Sequence, residues 1–600
     1  MTQKLAEYIA DFLAAHQVEH VFTVTGGGAM HLNDAFGHNS SFTCIYDHHE
    51  QACAMAAEGY ARLSGRIAAV CVTSGPGGTN AITGVLGGWQ DSIPMFVVSG
   101  QVKRATTTWS TEVPLRQLGD QEYQIIDSVR PMTKYAVMVT DPEEIRYHLE
   151  KAWFLAVNGR PGPVWLDIPL DVQAAQVDPE KMKGFSAEEE GLREKPAFDG
   201  SVTERILEKL EQAERPLILA GTGINVAGAR KEFLECVDHL GIPVVTAWNA
   251  HDLIPDEHPL FVGKPGTVGT RGGNFVVQSC DLLLVLGCRM NIRMISYNDH
   301  QFAKNAFKIV VDIDENELKK PTVDVDLPVC ADVKDVMKAL SQSGRPEASE
   351  ARKQWLKRCR EVNEKYPACL PEYYEDPRGM NPYAFFNEFY DSLDEGDVVV
   401  CGNGSACVMG FQTAKIKKDQ RLFTNSGCAA MGYGFPAAIG ACVQRAGKRV
   451  ICVDGDGSFQ MNLQELQTVV YNRLNLKIFY LNNNGYHSIR QTQTNLFAGR
   501  PMVGVCDGNG LSFPDAGKIA AAYGIPFVRI DEIKGAAEKI REVLAADSAV
   551  FCEVVVDPSQ NFAPKLSSRV LEDGRIVSAE LDDMAPFLPR EELEAVRGSF

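Results

Sequence analysis

One turn of the chain reads Gly455-Asp456-Gly457-Ser458 and a later one reads Asn482-Asn483-Asn484-Gly485. Together they offer a carboxylate at Asp456, an amide oxygen at Asn483 and a backbone carbonyl in the irregular loop at Gly485. These hard oxygen ligands suit a Mg2+ that also takes phosphate oxygens. The apolar run 450–453 reads as a buried strand, and Gly455 and Gly457 let the backbone turn tightly. Helical spacing over 463–471 places a helix N-terminus at the turn, where an anion would sit against Gly455, Gly457 and Ser458. The plain alternative for an isolated Gly-Asp-Gly is a strand-turn-helix with a solvated aspartate. The second turn shifts the balance, because it arrives after one helix and one strand. Both turns can then lie at the carboxyl ends of neighbouring parallel strands, where open α/β sheets bind ligands.

The elements that must position these groups follow from the rest of the chain. Its 600 residues imply several domains. Strand-like apolar runs alternate with helical patterns almost throughout, which predicts an α/β protein built of doubly wound parallel sheets. Three such domains are expected, over 1–178, 200–342 and 380–560. Polar stretches lie at 177–201 and 341–352, and the C-terminal tail 561–600 has too few periodic apolar positions for a domain of its own. The formal charge of −19, with no basic tract, disfavours nucleic acid as a partner. No apolar run approaches the roughly 20 residues of a membrane span, and 1–16 reads as an amphipathic helix rather than a secretory signal. A cytoplasmic location is expected. The 16 cysteines include no Cys-x-x-Cys pair, so neither a zinc site nor a disulfide framework is predicted.

The paired turns resemble the thiamine diphosphate (ThDP) motif of the family that includes acetohydroxyacid (acetolactate) synthase, pyruvate decarboxylase and benzoylformate decarboxylase. The three-block order is similar to the pyrimidine-binding, central and diphosphate-binding domains of the acetohydroxyacid synthase-like group, and the likeness covers nearly the whole chain. In Tyr46-Asp47-His48-His49-Glu50-Gln51-Ala52, Glu50 matches the family's catalytic glutamate. A carboxyl hydrogen-bonded to N1' of the aminopyrimidine favours the tautomer that removes the thiamine C2 proton; otherwise Glu50 only complements a helix dipole. The resemblance places Gly26 and Gly27, in Thr25-Gly26-Gly27-Gly28, at the catalytic centre, where bare amides can meet charge developing on a substrate carbonyl. The turn Ser74-Gly75-Pro76-Gly77-Gly78-Thr79-Asn80 resembles another family turn near the cofactor. Gly404 and Ser405 sit where relatives contact the diphosphate. Met431 matches the bulky side chain that bends thiamine, the alternative being a plain core methionine.

Whether flavin is bound is a separate question. Gly221-Thr222-Gly223 is a weak dinucleotide signal. More telling is Gly287-Cys288-Arg289-Met290-Asn291-Ile292-Arg293, followed by Asp312 and Asp332. With Arg160, the residues Gly287, Arg289, Arg293, Asp312 and Asp332 match positions through which acetohydroxyacid synthases hold FAD. The family's Gly-Met-His-Gly turn is replaced near Gly263-Lys264-Pro265-Gly266, and the alternative for two arginines so spaced is that they form only surface ion pairs.

The acceptor pocket departs further from the family. Its Phe-Gln-Glu reads Asp120-Gln121-Glu122 here, and Thr492 replaces a tryptophan. Gln121 and Glu122 match and are expected in the pocket, while Lys103, Arg116 and Arg490 are candidate anion-binding groups. The resemblance implies a carboligase that takes a two-carbon unit from a 2-oxo acid donor such as pyruvate, with loss of CO2, to a carbonyl acceptor. With pyruvate as acceptor the product is acetolactate. The polar changes suit a hydroxylated acceptor such as a keto sugar or nucleotide sugar, as in branched-sugar biosynthesis; a 2-oxo acid decarboxylase or lyase, and a catalytically silent assembly subunit, complete the alternatives. The family also implies a homodimer or homotetramer, because Glu50 of one subunit serves the diphosphate domain of the next.

Overall fold

The computed structural model describes residues 2–345, 347, 349–497, 499–570 and 575–600. Met1, positions 346 and 348 of the predicted polar stretch, and 571–574 of the predicted tail lie outside these residues. Three all-parallel sheets carry the chain. The first contains β1 (His20–Thr23), β2 (Thr43–Tyr46), β3 (Ala69–Val72), β4 (Met95–Gln101), β5 (Tyr135–Met138) and β6 (Pro163–Pro169), in the order β2-β1-β3-β4-β6-β5. The second contains β7 (Pro216–Ala220), β8 (Val244–Thr246), β9 (Leu282–Leu286), β10 (Phe307–Asp312) and β11 (Leu327–Cys330), in the order β8-β7-β9-β10-β11. The third contains β12 (Val398–Cys401), β13 (Arg421–Phe423), β14 (Val450–Gly455), β15 (Leu476–Asn482), β16 (Phe527–Ile530) and β17 (Val550–Val555), in the order β13-β12-β14-β15-β17-β16. The first and third sheets thus share one topology.

Their central strands are continuous apolar runs because both faces are covered by helices. Leu-Leu-Leu-Val-Leu in β9 and Val-Val-Val-Cys in β12 are buried at every position. No helix among the described residues is long and apolar enough to cross a membrane.

The first and third sheets meet through α1 (Glu50–Ser64), α2 (Pro76–Asp91) and α4 (Gly434–Gln444), with α3 (Ser405–Thr413) beside β12. At the crossing of α1 with α4 the approach is backbone to backbone. A Cβ on Gly59 would stand 2.2 Å from the Ala437 carbonyl oxygen, and one on Gly440 would stand 1.8 Å from that of Ala56.

Two expectations change. The helix expected over 463–471 begins earlier and is broken: α5 (Asp456–Phe459) starts at the aspartate itself, a 3-10 turn follows over Gln460–Glu465, and α6 covers Leu466–Tyr471. Asn462 leaves helical geometry (φ −131°, ψ 30°) while its amide donates to the Gly432 carbonyl (2.7 Å) and to Gln51 Oε1 (3.1 Å). These partners compete with the helix. The tail, read as too short of apolar positions for a domain of its own, straps the second sheet. Leu566 N–H reaches the Thr267 carbonyl (2.8 Å), Asn274 donates to that of Leu581 (2.9 Å), and Leu593 and Val596 bury against Phe275 and Val362.

Gly59→Ala is expected to destabilise the protein by about 1–3 kcal/mol through overpacking, outweighing the roughly 1 kcal/mol by which alanine favours a helix. Urea unfolding checks this, and an unchanged or raised midpoint would refute the tight crossing.

Candidate functional site

Two groups of side chains stand at carboxyl strand ends. The first surrounds Glu50 at the start of α1. Asn80 Nδ2, from α2, donates to Glu50 Oε2 (2.9 Å), and a Cβ on Gly77 would lie 3.6 Å from Glu50 Oε1 and 2.8 Å from the Thr73 methyl. Thr73 also walls the turn after β1: a Cβ on Gly26 would stand 2.4 Å from it, and Gly28 N–H donates to its hydroxyl (3.0 Å). Gly27 has open space where its side chain would be. Gln121 joins the rim, its carbonyl oxygen 2.4 Å from where a Cβ of Gly75 would sit. Its φ of +60° is strained for a side-chain-bearing residue. Glu50, Gly26, Gly27 and Gln121 are therefore neighbours.

The second group surrounds Asp456, where β12, β14 and β15 end. Asp456 Oδ1 accepts from Gly457 N–H (2.7 Å) and Oδ2 from Gly485 N–H (2.9 Å). Burial pushes its carboxyl up to about 6, against the pull of these donors. Asn483 Nδ2 donates to Ser405 Oγ (3.3 Å), while its buried Oδ1 has no partner. Gly404 precedes α3 at φ +71°, a conformation that favours glycine, and aims the α3 N-terminus at this place. Gly432 N–H donates to Ser458 Oγ (2.9 Å), and the Met431 methyl lies 3.5 Å from where a Cβ of Gly457 would be. Gly455 is open on that side. Gly404, Ser405, Met431, Gly455, Gly457, Ser458, Asp456, Asn483 and Gly485 thus form one group. Tyr486, which would collide with any side chain on Gly457 at 2.2 Å, belongs to it; its place right after the Asn-rich turn was the available signal.

A Mg2+ fits this donor set: a buried carboxylate without a cationic side chain bonded to it faces an amide oxygen without a donor. The loop is steadied by Arg490, which donates to the carbonyls of Asn483 (3.1 Å), Asn484 (2.6 Å) and Pro558 (3.1 Å). Those bonds occupy the guanidinium and correct its reading as a substrate-anion group. Glu122 is likewise taken from the pocket. Although burial opposes it, the backbone N–H groups of Thr108, Leu118 and Gly119 hold its carboxyl below the usual range and close the loop before it. Lys103, Arg116 and Asp120 are exposed.

A third cavity, of about 400 Å³, opens between the first and second sheets. Arg160, Gly287, Arg289, Asp312 and Asp332 line it. Arg160 is held by Asp314 (3.1 Å) and Glu317 (2.8 Å), Asp332 caps the following helix, and burial raises Asp312 to about 6. Arg293 is not among the lining residues. Its guanidinium lies 5.6 Å from the Trp248 ring centre, a cation-π contact that draws it elsewhere. Gln90, whose buried Oε1 lacks a donor, faces the cavity. Two arginines, two carboxylates and an unpartnered amide oxygen thus line one cavity, with donors and acceptors for a polar ligand.

Comparison with known proteins agrees with this layout. Residues 3–125 match the thiamine pyrophosphate enzyme N-terminal TPP binding domain, 203–340 its central domain and 402–554 its C-terminal TPP binding domain. A probable acetolactate synthase large subunit of Methanocaldococcus jannaschii is 33% identical over 93% of this chain and 92% of its own length. The acetolactate synthase large subunit of Lactococcus lactis is 32% identical over 93% of each chain. Acetolactate synthase isozyme 1 large subunit of Escherichia coli is 29% identical over 93% of this chain and 95% of its own. The chain belongs to the thiamine pyrophosphate enzymes, as a carbon–carbon bond-forming transferase of the acetolactate synthase-like group.

Proposed function

We propose that the protein decarboxylates pyruvate, or a similar 2-oxo acid, and transfers the two-carbon acyl unit to a carbonyl acceptor, giving acetolactate when the acceptor is a second pyruvate. The observation that carries this reading is the unpartnered Asn483 Oδ1 beside the buried Asp456, in a chain that also holds Glu50 among glycine turns. When bound, ThDP would supply the nucleophilic carbon and the electron sink that decarboxylation of the donor needs. Asp456 and Asn483, with the backbone at Gly485, hold Mg2+ against the diphosphate, and Gly404, Ser405, Gly455, Gly457 and Ser458 line its berth. Met431 supports the thiamine. Glu50 holds a proton at its carboxyl opposite the pyrimidine nitrogen, and Asn80 orients that carboxyl. Gly26, Gly27 and Gln121 border the substrate.

Among the described residues no hydrogen bond joins the Glu50 carboxyl to the Asp456 group. A second copy of the chain completes the site by setting Glu50 of one protomer against the diphosphate turn of its partner, as a homodimer or a pair of dimers. Exposed Met30 and Tyr46 near Glu50, and Met461 and Tyr471 beyond Asp456, are apolar surface that such a contact covers. FAD is assigned to the cavity between the first two sheets, with Arg160, Gly287, Arg289, Asp312 and Asp332 around it and Arg293 set aside. The exposed Asp120 and Thr492, polar where bulk is expected, favour a second acceptor reading in which a keto sugar takes the acyl unit.

Mass spectrometry of products from isotopically labelled pyruvate, with ThDP, Mg2+, FAD and a panel of keto sugars, tests the reaction. Labelled acetolactate is expected; labelled two-carbon transfer to a sugar with little acetolactate establishes the second acceptor, and neither product refutes the carboligase. Glu50→Gln should lower turnover at least about 100-fold with ThDP affinity retained, whereas Asp456→Ala should abolish Mg2+-dependent ThDP binding by calorimetry. Wild-type turnover or wild-type affinity, respectively, would refute the role. Arg289→Ala should weaken FAD binding about tenfold or more, followed by flavin fluorescence quenching; absence of quenching with the wild-type chain would remove FAD.

A further inference from the structure

The segment 425–433, which carries Met431, is tied within itself by Asn425, whose Oδ1 accepts from Cys428 N–H (3.1 Å) and Ala429 N–H (3.2 Å). Ala429 sits at φ +52° and Gly432 at φ +83°, a shape that costs energy at the alanine and persists only if its surroundings impose it. The third domain supplies three ties, from Asn403 Nδ2 to the Ala429 carbonyl (2.5 Å), from Gly432 N–H to Ser458 Oγ (2.9 Å) and from Asn462 Nδ2 to the Gly432 carbonyl (2.7 Å). Further ties come from the other side, out of helices α1 and α2.

Asp91, the last residue of α2, accepts Gly427 N–H at Oδ1 (2.8 Å) and Ser426 N–H at Oδ2 (2.9 Å). The same Oδ2 accepts from Arg62 Nη2 (2.8 Å). Arg62, on α1, is also paired with Glu58 one turn earlier. Glu58 Oε2 in turn accepts from the Tyr433 hydroxyl (2.5 Å). One cluster thus grips both ends of the segment, 426–427 through Asp91 and 433 through Glu58. Its side chains are at most 7% exposed, with Glu58 fully buried.

Two carboxylates and one guanidinium stand together with little exposure to solvent. Such a group is poor as a source of stability, since burial costs each ion several kcal/mol. Its geometry is specific, however. Both Asp91 oxygens are spent on successive backbone N–H groups of a loop in another domain, and charge-assisted bonds of this kind fix a backbone closely. We propose that Glu58, Arg62 and Asp91, acting with Tyr433, are positioning residues that hold the Met431 segment in the shape that supports thiamine. The proposal rests on the reading of Met431 given above.

Hydrogen–deuterium exchange of the cofactor-free protein, read peptide by peptide, tests the clasp. Asp91→Asn is expected to speed exchange over 426–433 about tenfold or more while peptides of the central strands keep wild-type rates. The same variant should lose about tenfold or more in kcat at saturating ThDP with the KM for pyruvate within about twofold, because the substrate contacts are untouched. Tyr433→Phe removes a single hydroxyl and should loosen the 433 end alone, which keeps the test open if Asp91→Asn folds poorly. Unchanged exchange over 426–433 in both variants, or a rise shared evenly by all three sheets, would overturn the clasp. Met431→Ala separates the two readings. If it turns over like wild type while Asp91→Asn still loosens 426–433, the role of Met431 fails and the proposed support of thiamine falls with it.

Discussion

Backbone-to-backbone contact between α1 and α4 is the constraint on which the rest of this structure depends. Gly59 and Gly440 each meet a carbonyl of the opposite helix, so the helices are as near as their main chains permit. That closeness brings the start of α1 against the turns of the third sheet. His48 N–H reaches Glu465 (3.0 Å), and Gln51 accepts from Asn462 (3.1 Å). Glu50 lies between these two anchors in sequence, so the start of the helix that bears it is tied to the third domain, while Asn80 of its own domain holds its carboxyl. The same approach lets Glu58 and Asp91 reach the Met431 segment. Wider helices would leave these charged groups in a water-filled gap, where bonds of this kind are weak.

The diphosphate berth follows a different economy. The chain carries a net charge of −19, so long-range attraction does not bring an anion to it. Among the described residues no lysine or arginine side chain bonds the side chain of Asp456 or Asn483; the donors to Asp456 are backbone N–H groups, and the N-terminus of α3 lies beside them. Burial disfavours the charged carboxylate, and a divalent cation restores it while neutralising phosphate. In the reading proposed above, metal and diphosphate would then bind best together, each relieving the charge that the other would leave buried.

Much of this was legible in the residues. Gly455-Asp456-Gly457 and Asn483 announce oxygen ligands at strand ends, because tight turns and hard donors are local properties. Uninterrupted apolar runs such as Val398–Cys401 announce parallel strands, because both faces of such a sheet must be buried. The family resemblance supplied what local chemistry does not, namely roles for Glu50, Met431 and the cavity residues.

Tertiary structure decided which charged and polar groups are free to act. Arg490 and Glu122 look like pocket residues in sequence, yet Arg490 bonds the carbonyls of Asn483, Asn484 and Pro558, and Glu122 the backbone N–H groups of the loop before it. Arg293 has the spacing of a cofactor ligand but turns to Trp248. Asn462 breaks a helix that the periodicity favours because its partners, Gln51 and Gly432, come from distant parts of the chain. The Glu58–Arg62–Asp91 cluster was invisible for the same reason: Glu58 and Arg62 are an ordinary helical pair until another domain delivers Tyr433 and the N–H groups of 426–427. Sequence alone determined the kinds of atoms available and the elements that bear them, since these depend on neighbours along the chain. Only the fold decided which atoms are already satisfied, because that depends on neighbours in space.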